Sequence, residues 1–146
     1  MTGSEHIIAD GEFLQTLIPQ KKPFILVDTL TDYTENSLVS HFTIPADHVL
    51  VTNNRFSEAG LIENMAQTIA LHTGYKYYLN KQPSPTGYIG ALKKVEVFQL
   101  PMVLQKLVTT ALILHDIMGV TLVEAKVECD GIILASGEIK TALAQR

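Results

Sequence analysis

The sequence lacks several features that would indicate whole classes of protein. It contains a single cysteine, Cys129, so neither an intrachain disulfide nor a cysteine-rich zinc site is possible. Its 11 lysine and arginine residues are outnumbered by 15 aspartate and glutamate residues, and the net charge of -4 disfavours nucleic-acid binding, which needs clustered cations. We expect Cys129 to be a buried apolar residue rather than a nucleophile.

Long apolar segments are also absent. No stretch approaches the roughly 20 apolar residues of a membrane-spanning helix, and the first residues show neither the positive start nor the apolar run of a signal peptide. We therefore expect a cytoplasmic protein. A chain of 146 residues, 47% hydrophobic and 18% charged, suits one domain over residues 1–146. Without histidines at ligand spacing or a glycine-rich phosphate loop, we expect no metal and no cofactor.

The sequence does contain one long helical pattern between two regions of strand pattern. Residues 11–17 suit a short helix ended by Pro19, and residues 24–30 and 38–44 suit strands. A helix is predicted from the N-cap Ser57 to about Tyr78. Its apolar stripe contains Leu61, Ile62, Met65, Ile69 and Thr73, and a neighbouring edge carries the small residues Ala59, Ala66, Ala70 and Gly74.

Four strands are predicted after this helix. Residues 88–98 and 104–115 suit the first two, and Asp130-Gly131 is a strong tight-turn signal between the last two. The inner face of the final pair begins with Val123 and Ala125 on one strand, and with Ile133 and Ala135 on the other. One long helix and one antiparallel sheet favour an α+β hotdog fold, in which the sheet wraps around the central helix. Its exposed edge favours dimerisation.

Three segments of the sequence resemble the β-hydroxyacyl-ACP dehydratases. Residues 18–28 read IPQKKPFILVD, where that family usually has Leu-Pro-His-Arg-x-Pro-Phe-Leu-Leu-Val-Asp. Residues 60–67 read GLIENMAQ, which is similar to the family's central-helix start, approximately Gly-Val-Leu-Ile-x-Glu-x-Met-Ala-Gln. Residues 87–95 read GYIGALKKV, where the family's next strand runs past the substrate. The resemblance covers nearly the whole chain and implies a hotdog protein that dehydrates 3-hydroxyacyl thioesters.

In the family that the sequence resembles, a histidine and an acidic residue carry out the reaction. A base takes the α-proton of the thioester and an acid protonates the departing hydroxyl group. The resemblance places Glu63 at the position of the acid. The family's histidine lies in a Gly-His-Phe-Pro-Gly loop that this sequence lacks, and Gln20 replaces the histidine of the opening motif. His48 is the candidate base, and a solvated loop histidine beside Asp47 is the alternative.

The resemblance also implies a set of substrate-binding residues. The N–H groups of Ala59 and Gly60, at the helix N-terminus, would hold the thioester carbonyl oxygen. Gln67 on the same helix, with Gly90 and Ala91 on the following strand, would complete the set. Two other histidines have a different explanation: His72 lies on the apolar stripe of the helix and His41 on a strand, and we expect both to be structural.

Two basic pairs, Lys21-Lys22 and Lys93-Lys94, flank the matching motifs. They are either a docking surface for an acidic carrier protein or ordinary solvated lysines. The resemblance implies a substrate bound to an acyl carrier protein or to CoA. It also implies a homodimer or a dimer of dimers, in which histidine and glutamate come from different subunits.

The function implied by the resemblance is therefore a 3-hydroxyacyl-ACP dehydratase of fatty-acid or polyene-type chain synthesis. Specialised members of the family lack the histidine loop and keep the central helix motif, and this sequence looks closest to them. Two alternatives remain. A non-catalytic acyl-binding subunit would retain the fold without the base, and a hotdog thioesterase would use Glu63 to activate water.

Overall fold

The computed structural model describes residues 6–85 and 87–143, which contain two α-helices and nine β-strands. The helices are α1 (Gly11–Thr16) and α2 (Glu58–Leu79). The strands are β1 (Ala9–Asp10), β2 (Thr29–Thr34), β3 (Ser37–Thr43), β4 (Val51–Thr52), β5 (Arg55–Phe56), β6 (Gly87–Val97), β7 (Lys106–Ile117), β8 (Val120–Cys129) and β9 (Ile132–Leu143). Neither helix in these residues is long and apolar enough to cross a membrane.

Seven of the strands form one antiparallel sheet in the order β1-β2-β3-β7-β8-β9-β6. This sheet packs around α2, which contacts β3, β6, β7 and β8. Alternate residues of β8, among them Val123, Ala125 and Val127, are buried, because side chains in a strand point to opposite faces of the sheet. The predicted α+β hotdog fold is confirmed. The short strands β4 and β5 form a separate hairpin immediately before α2.

The tight turn predicted between the last two strands is also confirmed. Asp130 and Gly131 both have positive φ, 51° and 80°, which two-residue turns between antiparallel strands require. The alternation of buried and exposed side chains predicted for β9 begins later than expected. A register shift in the β8–β9 pairing places Leu134 and Ala135 both on the buried side. Ile133, predicted to face inward, is therefore exposed.

The strand predicted at residues 24–30 is wrong at its beginning, because β2 starts at Thr29. Leu26 is fully buried, but its peptide groups do not join the sheet. Its N–H donates to the side chain of Gln67 and its carbonyl accepts from the side chain of Asn64. Side chains of α2 thus replace the neighbouring strand as hydrogen-bond partners, and Phe24, two residues before Leu26, is exposed.

Gly74 allows α1 and α2 to pack in close contact. A β-carbon at this position would overlap the backbone carbonyl of Leu17, at the end of α1. We expect Gly74→Ala to lower the free energy of unfolding by about 3 kcal/mol, at the upper end of overpacking effects, because the obstructing group is backbone. Urea denaturation measures this loss. At Gly90 a β-carbon would lie 3.4 Å from the carbonyl oxygen of Lys140, so a comparable loss in Gly90→Ala would contradict the explanation.

Candidate functional site

The N-terminus of α2 is fixed by a side-chain cap. The hydroxyl oxygen of Ser57 accepts a hydrogen bond from the N–H of Gly60 at 3.1 Å, which satisfies a donor that the helix itself leaves unpaired. Gly60 has no side chain because the ring of Phe56 occupies that space, 2.5 Å from where a β-carbon would lie. Since the Gly60 N–H is engaged, Ala59 is the better-placed donor of the predicted pair, and substrate contact by either residue stays a prediction.

Gln67 makes three hydrogen bonds that fix its orientation. Its side chain is fully buried, and its amide oxygen accepts from the N–H of Leu26 at 2.7 Å. The amide nitrogen must then face the other way, where it donates to the carbonyl of Phe24 at 2.8 Å and to Glu63 Oε2 at 2.9 Å. These bonds use both protons of the nitrogen. Gln67 therefore acts as a positioning residue for Glu63, and its predicted contact with substrate is not tested.

Glu63 is half-buried, one helical turn before Gln67. Its carboxylate accepts the hydrogen bond from Gln67, and within the described residues it forms no ion pair. A carboxylate held in this way keeps one oxygen in a defined position without a neighbouring cation to neutralise it. This arrangement suits a residue that exchanges a proton with a ligand.

Asn64 is a positioning residue that the sequence analysis did not identify. It is fully buried, and its amide nitrogen donates to the carbonyl of Leu26 at 2.7 Å. Its amide oxygen accepts from the hydroxyl of Thr109 at 2.6 Å. Asn64 and Gln67 together hold both peptide groups of Leu26 against α2. The signal in the sequence was the polar pair Asn64 and Thr68, at a spacing of four residues in an otherwise apolar part of the helix.

His48 is half-buried and both of its ring nitrogens are engaged within the chain. Nε2 lies 2.8 Å from the carbonyl oxygen of Pro23, and Nδ1 lies 3.0 Å from the N–H of Leu50. A carbonyl only accepts and a peptide N–H only donates, so Nε2 carries the proton and Nδ1 is the acceptor. The ring is then neutral, and the lone pair that a general base needs is occupied by the Leu50 N–H.

His48 and Glu63 are nevertheless both linked by hydrogen bonds to one short segment, Pro23 and Phe24. The carbonyl of Pro23 binds His48, and the carbonyl of the next residue, Phe24, binds Gln67, which holds Glu63. Two other predicted site residues lie on a different element. Gly90 and Ala91 are on β6, at a register shift in its pairing with β9, and β6 is one of the strands that α2 contacts. Their contact with substrate stays a prediction.

The single cysteine and two of the lysines singled out in the sequence are buried or bonded within the chain. Cys129 is buried, and burial raises the pKa of its thiol, as expected for an inert residue. The ammonium group of Lys21 donates to two backbone carbonyls at the end of α1, and Lys94 lies 3.7 Å from Glu138. Within residues 6–85 and 87–143, no group of three or more histidine, cysteine, aspartate or glutamate side chains could hold a metal ion.

His72 is a core histidine, as predicted. It is buried, its Nε2 donates to the carbonyl of Thr34 at 2.9 Å, and its ring stacks on Tyr33. Burial lowers the pKa of His72 below its ordinary value, and Lys76 acts in the same direction, while the Thr34 carbonyl opposes the shift. The folded protein therefore keeps His72 neutral at a pH where the unfolded chain already protonates it.

This shift makes stability depend on pH. Below the ordinary histidine pKa of about 6.5, the unfolded chain binds a proton at His72 that the folded protein does not, so the free energy of unfolding falls as the pH decreases. We expect His72→Gln to reduce this dependence, because glutamine can donate to Thr34 without titrating. Urea denaturation at pH 7.5 and 5.5 measures the difference. His115→Gln, at an exposed position, is the control, and equal dependence in His72→Gln and the wild type would contradict the prediction.

Comparison with known proteins extends these observations. A family model described as ApeP dehydratase matches residues 13–145. Among solved structures, the dehydratase heterocomplex ApeI:P from Xenorhabdus doucetiae aligns with a TM-score of 0.83 at 18% identity, over 91% of each chain. An uncharacterized protein from Pyrococcus horikoshii aligns with a TM-score of 0.70 at 17% identity, over 95% of this chain and 97% of that one.

A third similar structure is a hypothetical thioesterase with coenzyme A from Streptococcus pneumoniae. It aligns with a TM-score of 0.64 at 8% identity, over 80% of this chain and 85% of that one. At these identities the three structures show a shared fold. A search of the curated proteins found no match.

Proposed function

Because the chain belongs to the ApeP-like dehydratase family, we propose that it forms part of an enzyme that removes water from 3-hydroxyacyl thioesters on an acyl carrier protein. The observation that carries this proposal is the half-buried carboxylate of Glu63, which Gln67 orients beside the segment that also binds His48. The substrate class follows from the family and from the need of such a reaction for a positioned acid.

The proposed reaction gives Glu63 one defined task. A base removes the proton from the carbon next to the thioester carbonyl, and the electron pair left behind forms the new carbon–carbon double bond. The hydroxyl group leaves from the next carbon as water, after it takes a proton from the carboxyl group of Glu63. Negative charge that develops on the thioester oxygen is stabilised by an N–H at the start of α2, for which Ala59 is the candidate.

The base comes, in our proposal, from a second hotdog subunit. Both ring nitrogens of His48 are engaged by Pro23 and Leu50, so His48 is better suited to holding its loop than to accepting a proton. Two observations support a second subunit. Strand β6 is an edge of the sheet, and an unpaired edge can pair with another chain. The structurally similar protein from Xenorhabdus doucetiae is a heterocomplex.

Because both ring nitrogens of His48 are engaged, a second candidate function is also favoured: a subunit that binds the acyl chain and takes no part in the chemistry. The two candidates differ in what Glu63 does. If the subunit only binds, removing the carboxylate changes substrate affinity and leaves the turnover of the complex intact. If Glu63 is the acid, turnover falls and affinity is retained.

The role of His48 is tested by His48→Gln, since glutamine can both donate to Pro23 and accept from Leu50. We expect kcat to change by less than about threefold and the pH profile of kcat/KM to keep both of its limbs. A loss of about 100-fold or more, with the limb of the base removed, would identify His48 itself as the base. Release of free acid and thiol from an acyl thioester without a 3-hydroxyl group would instead identify a hotdog thioesterase.

A further inference from the structure

A cavity of about 210 Å³ lies between the C-terminal half of α2 and the inner face of the sheet near the β7–β8 turn. Its buried lining includes the apolar side chains Ile69, Ala111 and Val123 and the imidazole ring of His72. Its lining also includes polar side chains, among them the half-buried Lys76 from α2 and the exposed Asp116 from β7. The cavity therefore combines a group of apolar side chains with two side chains of opposite charge.

The two charged groups of the lining are not in direct contact with each other. Lys76 and Asp116 line the same cavity, and among the described residues no ion pair joins them. The carboxylate of Asp116 has a long hydrogen bond of 3.4 Å from the hydroxyl of Thr121. A third titratable residue, His72, also lines the cavity, but its lowered pKa keeps it neutral near pH 7.

The pair of charges selects a particular kind of polar group. An ammonium group only donates hydrogen bonds and a carboxylate only accepts them. A hydroxyl group between them accepts from Lys76 and donates to Asp116, whereas a carboxylate ligand is repelled by Asp116 and an ammonium ligand by Lys76. The space thus fits a neutral group that both donates and accepts.

The cavity is separate from the site at Glu63. At a rise of about 1.5 Å per residue, Ile69 lies about 9 Å and Lys76 about 20 Å further along α2. The side chains also point in different directions, because Glu63 is held toward Phe24 through Gln67, whereas Ile69 and Lys76 face β7 and β8 across the cavity.

We propose that this cavity is a second ligand site, which binds a short apolar molecule with a terminal hydroxyl group. An apolar cavity of about 150 Å³ is large enough to hold benzene, so 210 Å³ accommodates a molecule with the size of hexan-1-ol. The hydrocarbon part contacts Ile69, Ala111 and Val123, and the hydroxyl group lies between Lys76 and Asp116. This proposal does not depend on the reaction assigned to Glu63.

The test compares ligands that differ only in the terminal group: hexan-1-ol, hexanoate and hexylammonium. Binding to the full chain is followed by NMR titration of the side-chain methyl groups. We expect saturable shifts at Ile69, Ala111 and Val123 for hexan-1-ol, with a Kd of about 1 mM or lower. Each of the two charged analogues should bind at least about tenfold more weakly. Absent or unsaturable shifts at these residues, or tighter binding of either charged analogue, would overturn the proposal.

Two variants test whether the ligand occupies the cavity itself. Thr121→Leu fills part of the cavity and should reduce hexan-1-ol binding by at least about tenfold, whereas Thr110→Leu, on β7 outside the lining, should leave it unchanged. Lys76→Met should weaken the binding of hexan-1-ol by about tenfold, and the same methyl groups should still show shifts. Equal binding of hexan-1-ol by the wild type and by Thr121→Leu would overturn the proposal. If Thr121→Leu does not fold, the methyl shifts of the wild-type protein provide the test by themselves.

Discussion

Glu63→Gln is expected to lower the kcat of dehydration by about 10² to 10⁴-fold, the range that one general acid contributes. The replacement has nearly the same shape, and its amide oxygen can still accept the hydrogen bond that Gln67 donates to the carboxylate. Folding should therefore be little affected. The amide cannot deliver a proton to the departing hydroxyl group, so the loss appears in kcat rather than in KM.

A matched control is available in the first turn of the same helix. Glu58 is exposed and lies in the first turn of α2, so Glu58→Gln removes one carboxylate from the same helix at a residue that has no proposed role in the reaction. Its effect on kcat should stay below about threefold. Turnover of Glu63→Gln within threefold of the wild type, in a complex that dehydrates substrate, would exclude Glu63 as the acid.

Asn64→Leu is expected to lower the free energy of unfolding by about 4 kcal/mol. Leucine has the same branched shape as asparagine, with somewhat larger terminal groups, but leaves the carbonyl of Leu26 and the hydroxyl of Thr109 without their partner. Both contacts are fully buried, and each unsatisfied buried group costs about 1–3 kcal/mol. Chemical denaturation measures the loss. Asn36→Leu, at an exposed position in the turn between β2 and β3, should change stability by less than about 0.5 kcal/mol.

A second substitution separates the lost hydrogen bonds from a packing defect. Thr109→Val removes the hydroxyl group that donates to Asn64. In the double variant with Asn64→Leu, this hydroxyl group is no longer stranded, so the double variant should be more stable than the sum of the single losses predicts. Strictly additive losses would show that the destabilisation comes from packing of the leucine and not from the network.

The sequence predicted those parts of the fold that depend on local pattern. The N-cap Ser57 and the apolar spacing placed α2 within one residue of its observed end, and alternation of apolar residues located β8. The pair Asp130-Gly131 identified the turn because only a few residue types tolerate positive φ at both positions. These signals act over a few residues, and they were sufficient to predict a sheet around one helix.

The parts that the sequence did not reveal depend on contacts between distant residues. Residues 24–28 have the composition of a strand, but Leu26 is bonded to Asn64 and Gln67, which lie 38 and 41 positions further along the chain. The engagement of His48 by Pro23, 25 positions earlier, is of the same kind. No local pattern contains this information. The resemblance to the dehydratases singled out Glu63, which lies in α2, but it could not show what holds the carboxylate.

The most direct test of the account is a dehydration assay with and without a second hotdog subunit. The chain is incubated with 3-hydroxyacyl-ACP alone and as a purified complex with the other subunit of a dehydratase pair, and the acyl product is followed by mass spectrometry. The account predicts that the complex converts the substrate to the 2-enoyl product with loss of one water, that the chain alone does not, and that Glu63→Gln abolishes the conversion by the complex. Dehydration by the chain alone, or full activity of the complex with Glu63→Gln, would contradict it.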